Sequence, residues 1–354
     1  MRRLNRYLGK TVFLASIGSL LVFIGLNYIA NMVGIMEDIN DNFPLSRALL
    51  VMFLRIPNMF TEFLPYGIFV GCVIGLGLHA NNNELSVMRA AGVSVYRLLW
   101  AVMRPTLVLI VVGLLTSEFI SPVSLQLARG LQDGRSAIQP DTDSSYNWYR
   151  DVANNEFLHF NRVETGGRIF GLSRYQFNEN GELQHAGFAD QAIYQQNGRW
   201  QLENYRQSNF FPDRIERSEV PNLSWHTELE PRLLNILVLP PDSLSITDVY
   251  QFAQFRDQQN LQSHEYKLDF WQRVLQPLMV LALVLVGMSF IFGSLREATM
   301  GSRIGLAVIV GFFMWINISM LGTLSTLIGF SPLIAVLLPT GVCGLAGMFL
   351  LSRR

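Results

Sequence analysis

Residues Leu99–Arg135 read LWAVMRPTLVLIVVGLLTSEFISPVSLQLARGLQDGR. The first part, Leu99–Ile120, carries no charge except Arg104 near its start and Glu118 near its end, and it has no polar face of the kind a water-soluble helix keeps. At about 1.5 Å per helical residue, roughly 20 such residues cross the ~30 Å hydrocarbon core of a bilayer. From about Pro122 the sequence turns polar and stays so to about residue 268. The stretch therefore marks the exit from a membrane into an aqueous domain.

Working outward, five further apolar runs of spanning length lie near 12–35, 54–78, 270–293, 304–327 and 332–351. This predicts six transmembrane helices, three before the polar insert and three after. Composition agrees, since 50% hydrophobic and 15% charged among 354 residues lies outside the range of soluble chains. The formal charges balance, with Lys10 and Lys267 the only lysines, and no basic stretch suggests a nucleic acid partner. Cys72 and Cys343 both fall inside apolar runs, which leaves neither a disulfide framework nor a thiolate metal site. Arg2, Arg3, Arg6 and Lys10 precede the first run as in a signal peptide, yet the run exceeds an h-region and no A-x-A-like site follows. It is expected to be a retained span.

Orientation follows from the short loops. Arg89, Arg97 and Arg104 surround the loop between spans 2 and 3, Arg296 and Arg303 that between spans 4 and 5, and Arg353 and Arg354 end the chain. Every second loop thus shares a side with the N-terminal cations, whereas the opposite side holds Glu37, Asp38, Asp41 and Arg47 after span 1 and no charge between Thr326 and Ser331. Both termini are expected in the cytoplasm and the insert on the opposite side of the membrane.

The insert reads as β structure. Tyr146–Tyr149, Glu156–Phe160 and Arg168–Leu172 are strand-like, and Asn178-Glu179-Asn180-Gly181 and Gln196-Asn197-Gly198-Arg199 are hairpin turns in which Asn-Gly supplies positive φ for a type I′ turn. An all-β sandwich or jelly-roll-like domain is expected. After Pro240-Pro241 the period becomes helical, and Ser245-Ile246-Thr247-Asp248 forms a capping box in its looser form. The predicted domains are 1–121 with a cytoplasmic helix at 83–93, 122–268 with a helical connector at 245–268, and 269–354.

No catalytic motif emerges. Leu8-Gly9-Lys10-Thr11 ends like a phosphate-binding loop, but the glycine required five residues before Gly9 is Leu4. The five histidines are scattered, His264-Glu265 lacks a second histidine at protease spacing, and no G-x-S-x-G occurs. The chain is not expected to be an enzyme, nor to hold a cofactor or metal. On residues alone it is a transporter's membrane half or a non-transporting scaffold whose β domain docks partners outside the membrane.

One cytoplasmic segment, Asn83-Glu84-Leu85-Ser86-Val87-Met88-Arg89-Ala90-Ala91-Gly92, asks for a role. Asn83 is placed to cap a short helix, Glu84 to face the positive end of its dipole, and Gly92 to stop it. The helix either rests on the headgroups or docks a cytoplasmic partner with Val87, Met88 and Ala91 as its apolar face and Glu84 as its charged latch.

This segment, with Leu4-Asn5-Arg6-Tyr7-Leu8-Gly9-Lys10-Thr11, Gln276-Pro277 and Ser289-Phe290-Ile291-Phe292-Gly293-Ser294-Leu295-Arg296, resembles the LptF/LptG permease family of the bacterial lipopolysaccharide exporter. The two paralogous types share the pattern E-x-x-V-M-x-A-x-G, and the first and last of these segments look more like the LptG type. The resemblance implies a heterodimer with an LptF-like subunit, seated on an LptB-like ATPase dimer, with an LptC-like single-span protein beside it and an LptA-like periplasmic bridge beyond. ATP is then used by the partner. Glu84 matches the coupling-helix glutamate that pairs with an arginine of the ATPase. The phosphates of lipopolysaccharide call for cations at the outer mouth. Arg129 matches a basic position of the family, with Arg135, Arg47 and Arg273 as companions and Asn31 as a further substrate-binding candidate. Where some relatives carry lysines near the outer end of span 1, this chain has Asn31, Glu37 and Asp38. Glu62 and Glu118 are the intramembrane carboxylates, for which a snorkelling or capping role competes with a functional one.

Overall fold

The computed structural model describes residues 2–36, 39, 43–132, 148–151, 155–164, 167–178, 181–196, 198–211, 213–227, 241–258, 263–292 and 299–353. Arg135, Arg296, Arg354, Glu37, Asp38, Asp41, Tyr146, Asn147, Glu179, Asn180 and Asn197, all invoked above, lie outside them. The chain forms two compact units: 1–134 with 245–253 and 263–354, and 135–244 with 254–262.

The first unit is helical. α1 spans Arg2–Met36, α2 Leu45–Asn81, α3 Glu84–Ala90 and α4 Val95–Leu115. A π-turn, Thr116–Ile120, joins α4 to α5, Ser121–Gln132. After the insert come α6 at Ile246–Gln258, of which residues 246–253 belong to this unit, α7 at His264–Phe292, α8 at Met300–Ile328 and α9 at Pro332–Ser352. Six helices are long and apolar enough to cross a membrane, α4, the π-turn and α5 counting as one. All six match the predicted runs, and most extend beyond them at one or both ends.

α2 is the central helix and the most buried, with α1 and α8 the least. Leu64, Ile68, Phe69 and Leu76 of α2 pack with Leu98 of α4 and Val280 and Leu283 of α7. The contact of α2 with α1 is the closest in the bundle. Gly67, Gly71 and Gly75, four residues apart, line one face of α2 against Leu20, Ser16 and Val12 of α1. A Cβ on Gly71 would lie 2.2 Å from Ser16 Cα. Ser19 Oγ donates to the Gly67 carbonyl at 2.6 Å, a bond that backbone proximity makes possible. Leu21, Leu26, Ile309, Phe312 and Phe313 remain exposed, apolar surface that suits lipid or a second membrane chain.

Two prolines within the spans find local remedies. Pro65 offers no N–H to the Thr61 carbonyl four residues back, and Gln276 Nε2 from α7 donates there instead at 2.5 Å. Pro122 has the same defect, and the helix before it widens into the π-turn.

The second unit contains the all-β insert. Its strands are β1 Trp148–Asp151, β2 Glu156–Glu164, β3 Arg168–Phe177, β4 Leu183–Gln196, β5 Arg199–Phe210 and β6 Ile215–His226. They form one antiparallel sheet in sequence order, without a non-consecutive pairing among the described strands. Leu158, Phe160, Ile169, Leu172, Ala192, Trp200 and Leu202 are fully buried. Gly171 (φ 64°) and Asn204 (φ 53°) interrupt the pleat, so large buried side chains fall three apart there: Ile169 and Leu172, Leu202 and Tyr205. Arg174 binds Glu156 through Nη2 at 2.6 Å and Nε at 3.3 Å and lies against the rings of Trp225 and Tyr205, so a buried charge is paired and stacked. The hairpins differ in kind. Gln196 pairs with Arg199 across a two-residue turn with Gly198 at φ 72°. At the other turn Gly181 (φ 81°) donates to the Asn178 carbonyl, and Asn178 N–H donates to Glu182, closing a longer loop than the type I′ turn expected.

Candidate functional site: the α2–α3 corner

α2 ends at Asn81 and α3 begins at Glu84, so two residues reverse the chain. Asn83 does this with φ 58°, in the left-handed region, and its side chain makes no capping bond. This corrects the predicted cap: an N-cap needs extended backbone, and so short a linker has no room for it. Asn is among the few side chains that tolerate the left-handed region. The other end is as predicted. Gly92 (φ 83°) donates to Arg89 carbonyl and Val93 to Met88 carbonyl, the paired bonds of a Schellman stop.

The faces of α3 follow from its seven residues. Leu85 and Met88, three apart, are buried in the helical core together with Val93. Val87 is 67% exposed, and Ser86, Arg89 and Ala91 also face outward. Met88, grouped with Val87 and Ala91 by sequence, thus points inward, and Val87 and Ala91 are left as the apolar part of the presented face. Leu85, which the sequence did not single out, is the inner anchor.

Glu84 is held from behind. His79, in the last turn of α2, places Nδ1 2.7 Å from Glu84 Oε2. Tyr7 of α1 donates its hydroxyl to Oε1 at 3.4 Å. The hydrogen bond from His79 keeps the Glu84 carboxyl below the ordinary carboxylate range, against the opposing effect of partial desolvation and with smaller help from Asn82 and Tyr7. Nearby, Arg303 of α8 is 2% exposed and donates from Nη1 to the Gly77 carbonyl at 2.8 Å, a cation at the negative end of α2. The sequence placed Arg303 merely in a loop. Nothing in periodicity pointed to Tyr7, which is 77 residues from Glu84. His79 closing an apolar helix ahead of an Asn-rich turn was the one available signal.

The outer-mouth candidates lie on several helices, and Ala48 and Ala128, the neighbours of Arg47 and Arg129, share one packed cluster. Arg129 is half-buried in the last turn of α5, and Arg47 is half-buried in the first turn of α2. Arg273 is ion-paired with Asp269 at 2.8 Å. Asn31 donates to Asn27, carbonyl and side chain, at 2.9 and 2.8 Å. Arg55 of α2, passed over in the sequence, donates to Gln132 at the end of α5 at 3.1 Å. Of the carboxylates, Glu62 is exposed on α2. Glu118 proves to be a cap: it accepts from Ile246 N–H at 3.0 Å and from Thr247 Oγ1 at 2.6 Å, at the start of α6. Beside it Asp248 N–H donates to Ser245 Oγ at 3.0 Å, one half of the predicted box, while the Asp248 carboxylate accepts from the Ser245 hydroxyl at 2.7 Å. On the sheet, Ser173, Phe188, Arg206 and Glu219 form one row across four strands and line an open groove of about 700 Å³. Among the described residues no group of three or more His, Cys, Asp or Glu side chains could hold a metal.

Comparison with known proteins gives this arrangement a context. The chain is 29% identical to the lipopolysaccharide export system permease protein LptG of Escherichia coli strain K12 over 358 residues, 99% of this chain and 98% of that protein. It is 29% identical to the protein of the same name from Haemophilus influenzae over 357 residues, again 99% and 98% of the two chains. Residues 6–353 match the family described as lipopolysaccharide export system permease LptF/LptG. With six spanning helices around a β insert and a match over nearly its whole length, the chain belongs to the LptF/LptG family of lipopolysaccharide export permeases.

Proposed function

We propose that this chain is the LptG-type permease subunit of a lipopolysaccharide exporter. It takes the lipid from the outer leaflet of the inner membrane and passes it to a periplasmic β bridge, driven by ATP hydrolysis in a separate subunit. The observation that carries the reading is the α2–α3 corner: a rigid two-turn helix, stopped at both ends, presents Val87, Ala91 and the charged edge of Glu84 while Leu85 and Met88 root it in the core. A force on that helix reaches α2, the centre of the bundle. Both termini and α3 are assigned to the cytoplasm and the sheet to the periplasm, on the alternation of cations among short loops.

The partners follow from the family: an LptF-like second permease, an LptB-like ATPase dimer that binds the nucleotide, an LptC-like single-span protein and an LptA-like bridge. The chain itself needs no cofactor and catalyses no reaction. The cargo explains the layout. Exposing one acyl chain of about 12 methylenes to water costs about 10 kcal/mol at ~0.8 per methylene, so the chains must stay covered from bilayer to bridge. Arg129, with Arg47, Arg135 and Arg273, is assigned to the lipid phosphates at the outer mouth.

Co-expression with an LptB-like ATPase and an LptF-like subunit tests the proposal. The purified complex should hydrolyse ATP and release lipopolysaccharide from vesicles to an added bridge protein. A chain that copurifies with periplasmic proteins but neither binds nor stimulates the ATPase is a scaffold.

A further inference from the structure

Two side chains stand behind Glu84. The ring of His79 is 2% exposed, and its Nδ1 faces the Glu84 carboxylate at 2.7 Å. Its other nitrogen, Nε2, is buried and has no hydrogen-bond partner among the described residues. Buried polar atoms are usually satisfied, and a histidine kept only for packing has no reason to bury one nitrogen bare while committing the other to a residue on the next helix. Tyr7 completes the arrangement. Its ring meets that of His79 edge-on, with centroids 4.9 Å apart at 65°, and its hydroxyl reaches Glu84 Oε1. α1, α2 and α3 therefore meet at one carboxylate.

We propose that His79 and Tyr7 are positioning residues for energy coupling: they hold the Glu84 carboxylate, aimed and charged, for a cation on the ATPase, and they tie that contact to α1 and α2 together. The proposal rests on Glu84 being the coupling residue. A glutamate on a short exposed helix otherwise samples many rotamers, and an ordering cost falls on the docking step; fixing it beforehand removes that cost. The tie to α1 matters because α1 lies backbone-to-backbone on α2 at Gly71 and Gly75, so the two helices respond as a pair.

The test uses the full complex of chain, second permease and ATPase. Five variants are compared with the parent: His79→Leu, His79→Asn, Tyr7→Phe, Glu84→Gln and the double variant His79→Leu/Glu84→Gln. Two quantities are read: the ATPase concentration giving half-maximal stimulation, and lipopolysaccharide released per ATP. His79→Leu should raise the half-maximal concentration about tenfold, equivalent to ~1.4 kcal/mol. His79→Asn, whose amide nitrogen can take the place of Nδ1 and donate, should recover most of the loss. Tyr7→Phe should have a smaller effect, since its bond is long. The double variant should be no worse than Glu84→Gln alone, because His79 acts through the carboxylate. Should His79→Leu fail to fold, His79→Gln, which presents no donor at the Nδ1 position, replaces it.

A His79→Leu complex that couples like the parent while Glu84→Gln is uncoupled overturns the proposal and leaves the coupling role of Glu84 standing. Losses that multiply in the double variant also overturn it, since His79 is then a packing residue in its own right. If Glu84→Gln couples normally, the coupling reading fails first.

Discussion

Replacing Gly71 by alanine should loosen the first two membrane helices from each other. The new Cβ would stand 2.2 Å from Ser16 Cα and 2.4 Å from Ser16 N, both main-chain atoms that no rotamer change can move. Carbon atoms rest at about 3.5–4.0 Å, so the helices must part by at least about 1.3 Å. Overpacking of this kind costs about 1–3 kcal/mol, and the better helix propensity of alanine offsets about 1 kcal/mol of it. Parting the helices also stretches the Ser19–Gly67 bond, now 2.6 Å, at a further cost of about 1 kcal/mol. The net expectation is a loss of roughly 1–3 kcal/mol. Melting in detergent with a thiol-reactive dye is a suitable assay, because both cysteines, Cys72 and Cys343, are buried in the folded chain. Gly18→Ala is the control, since a Cβ there meets nothing within 4 Å. If Gly71→Ala melts no lower than Gly18→Ala, α1 and α2 do not make the close contact described.

Three further outcomes are expected. Gln276→Leu should lower the melting temperature in the same assay, by removing the donor to the Thr61 carbonyl at a cost of about 1–3 kcal/mol, and adding Pro65→Ala should restore it because alanine returns the missing N–H; additive losses would refute the compensation. Arg129→Glu should lower photocrosslinking of lipopolysaccharide to the purified complex with basal ATPase activity unchanged, Arg129→Lys falling between because it keeps charge but not the bidentate fork; undiminished capture by Arg129→Glu would leave Arg129 a headgroup anchor. A cysteine at the exposed Glu182 should react with an impermeant thiol reagent added to the periplasmic side, and one at Ser94 should not; the reverse pattern would invert the topology.

The spans were legible because hydrocarbon thickness fixes how long an apolar run must be, and that constraint acts on each segment by itself. The stop at Gly92 and the box at Ser245–Asp248 were legible for the same reason: their partners lie within a few residues. Contacts between distant segments were not. The spacing of Gly67, Gly71 and Gly75 is visible in the sequence, but not that α1 covers it. Gln276 gives no sign that it answers a proline on another helix. Asn83 was read as a cap because Asn before Glu suits one, and the geometry of a two-residue reversal overrode that preference. Met88 went to the wrong face because a helix of seven residues is too short for periodicity to choose between faces; the core, through Leu85, chose instead. Strict alternation failed in β3 and β5 where left-handed residues interrupt the pleat. Glu84 was identified as the residue to watch, while its two supports, from α1 and α2, emerged only from the fold.

The central claim is that Glu84 carries the connection between ATP hydrolysis and lipid movement. It is tested most directly by ATP-driven release of lipopolysaccharide from proteoliposomes containing the chain, its second permease and the ATPase, with Glu84→Arg beside the parent. Charge reversal at the start of α3 should cost the fold about 1 kcal/mol through the helix dipole and about 1–3 kcal/mol through the lost bond to buried His79, so melting is measured beside release and folded, inserted complexes are compared. The folded variant should release little or no lipopolysaccharide, with ATPase binding or stimulation sharply reduced. Release at the parent rate by a folded Glu84→Arg complex would contradict the account and return α3 to a helix resting on the headgroups.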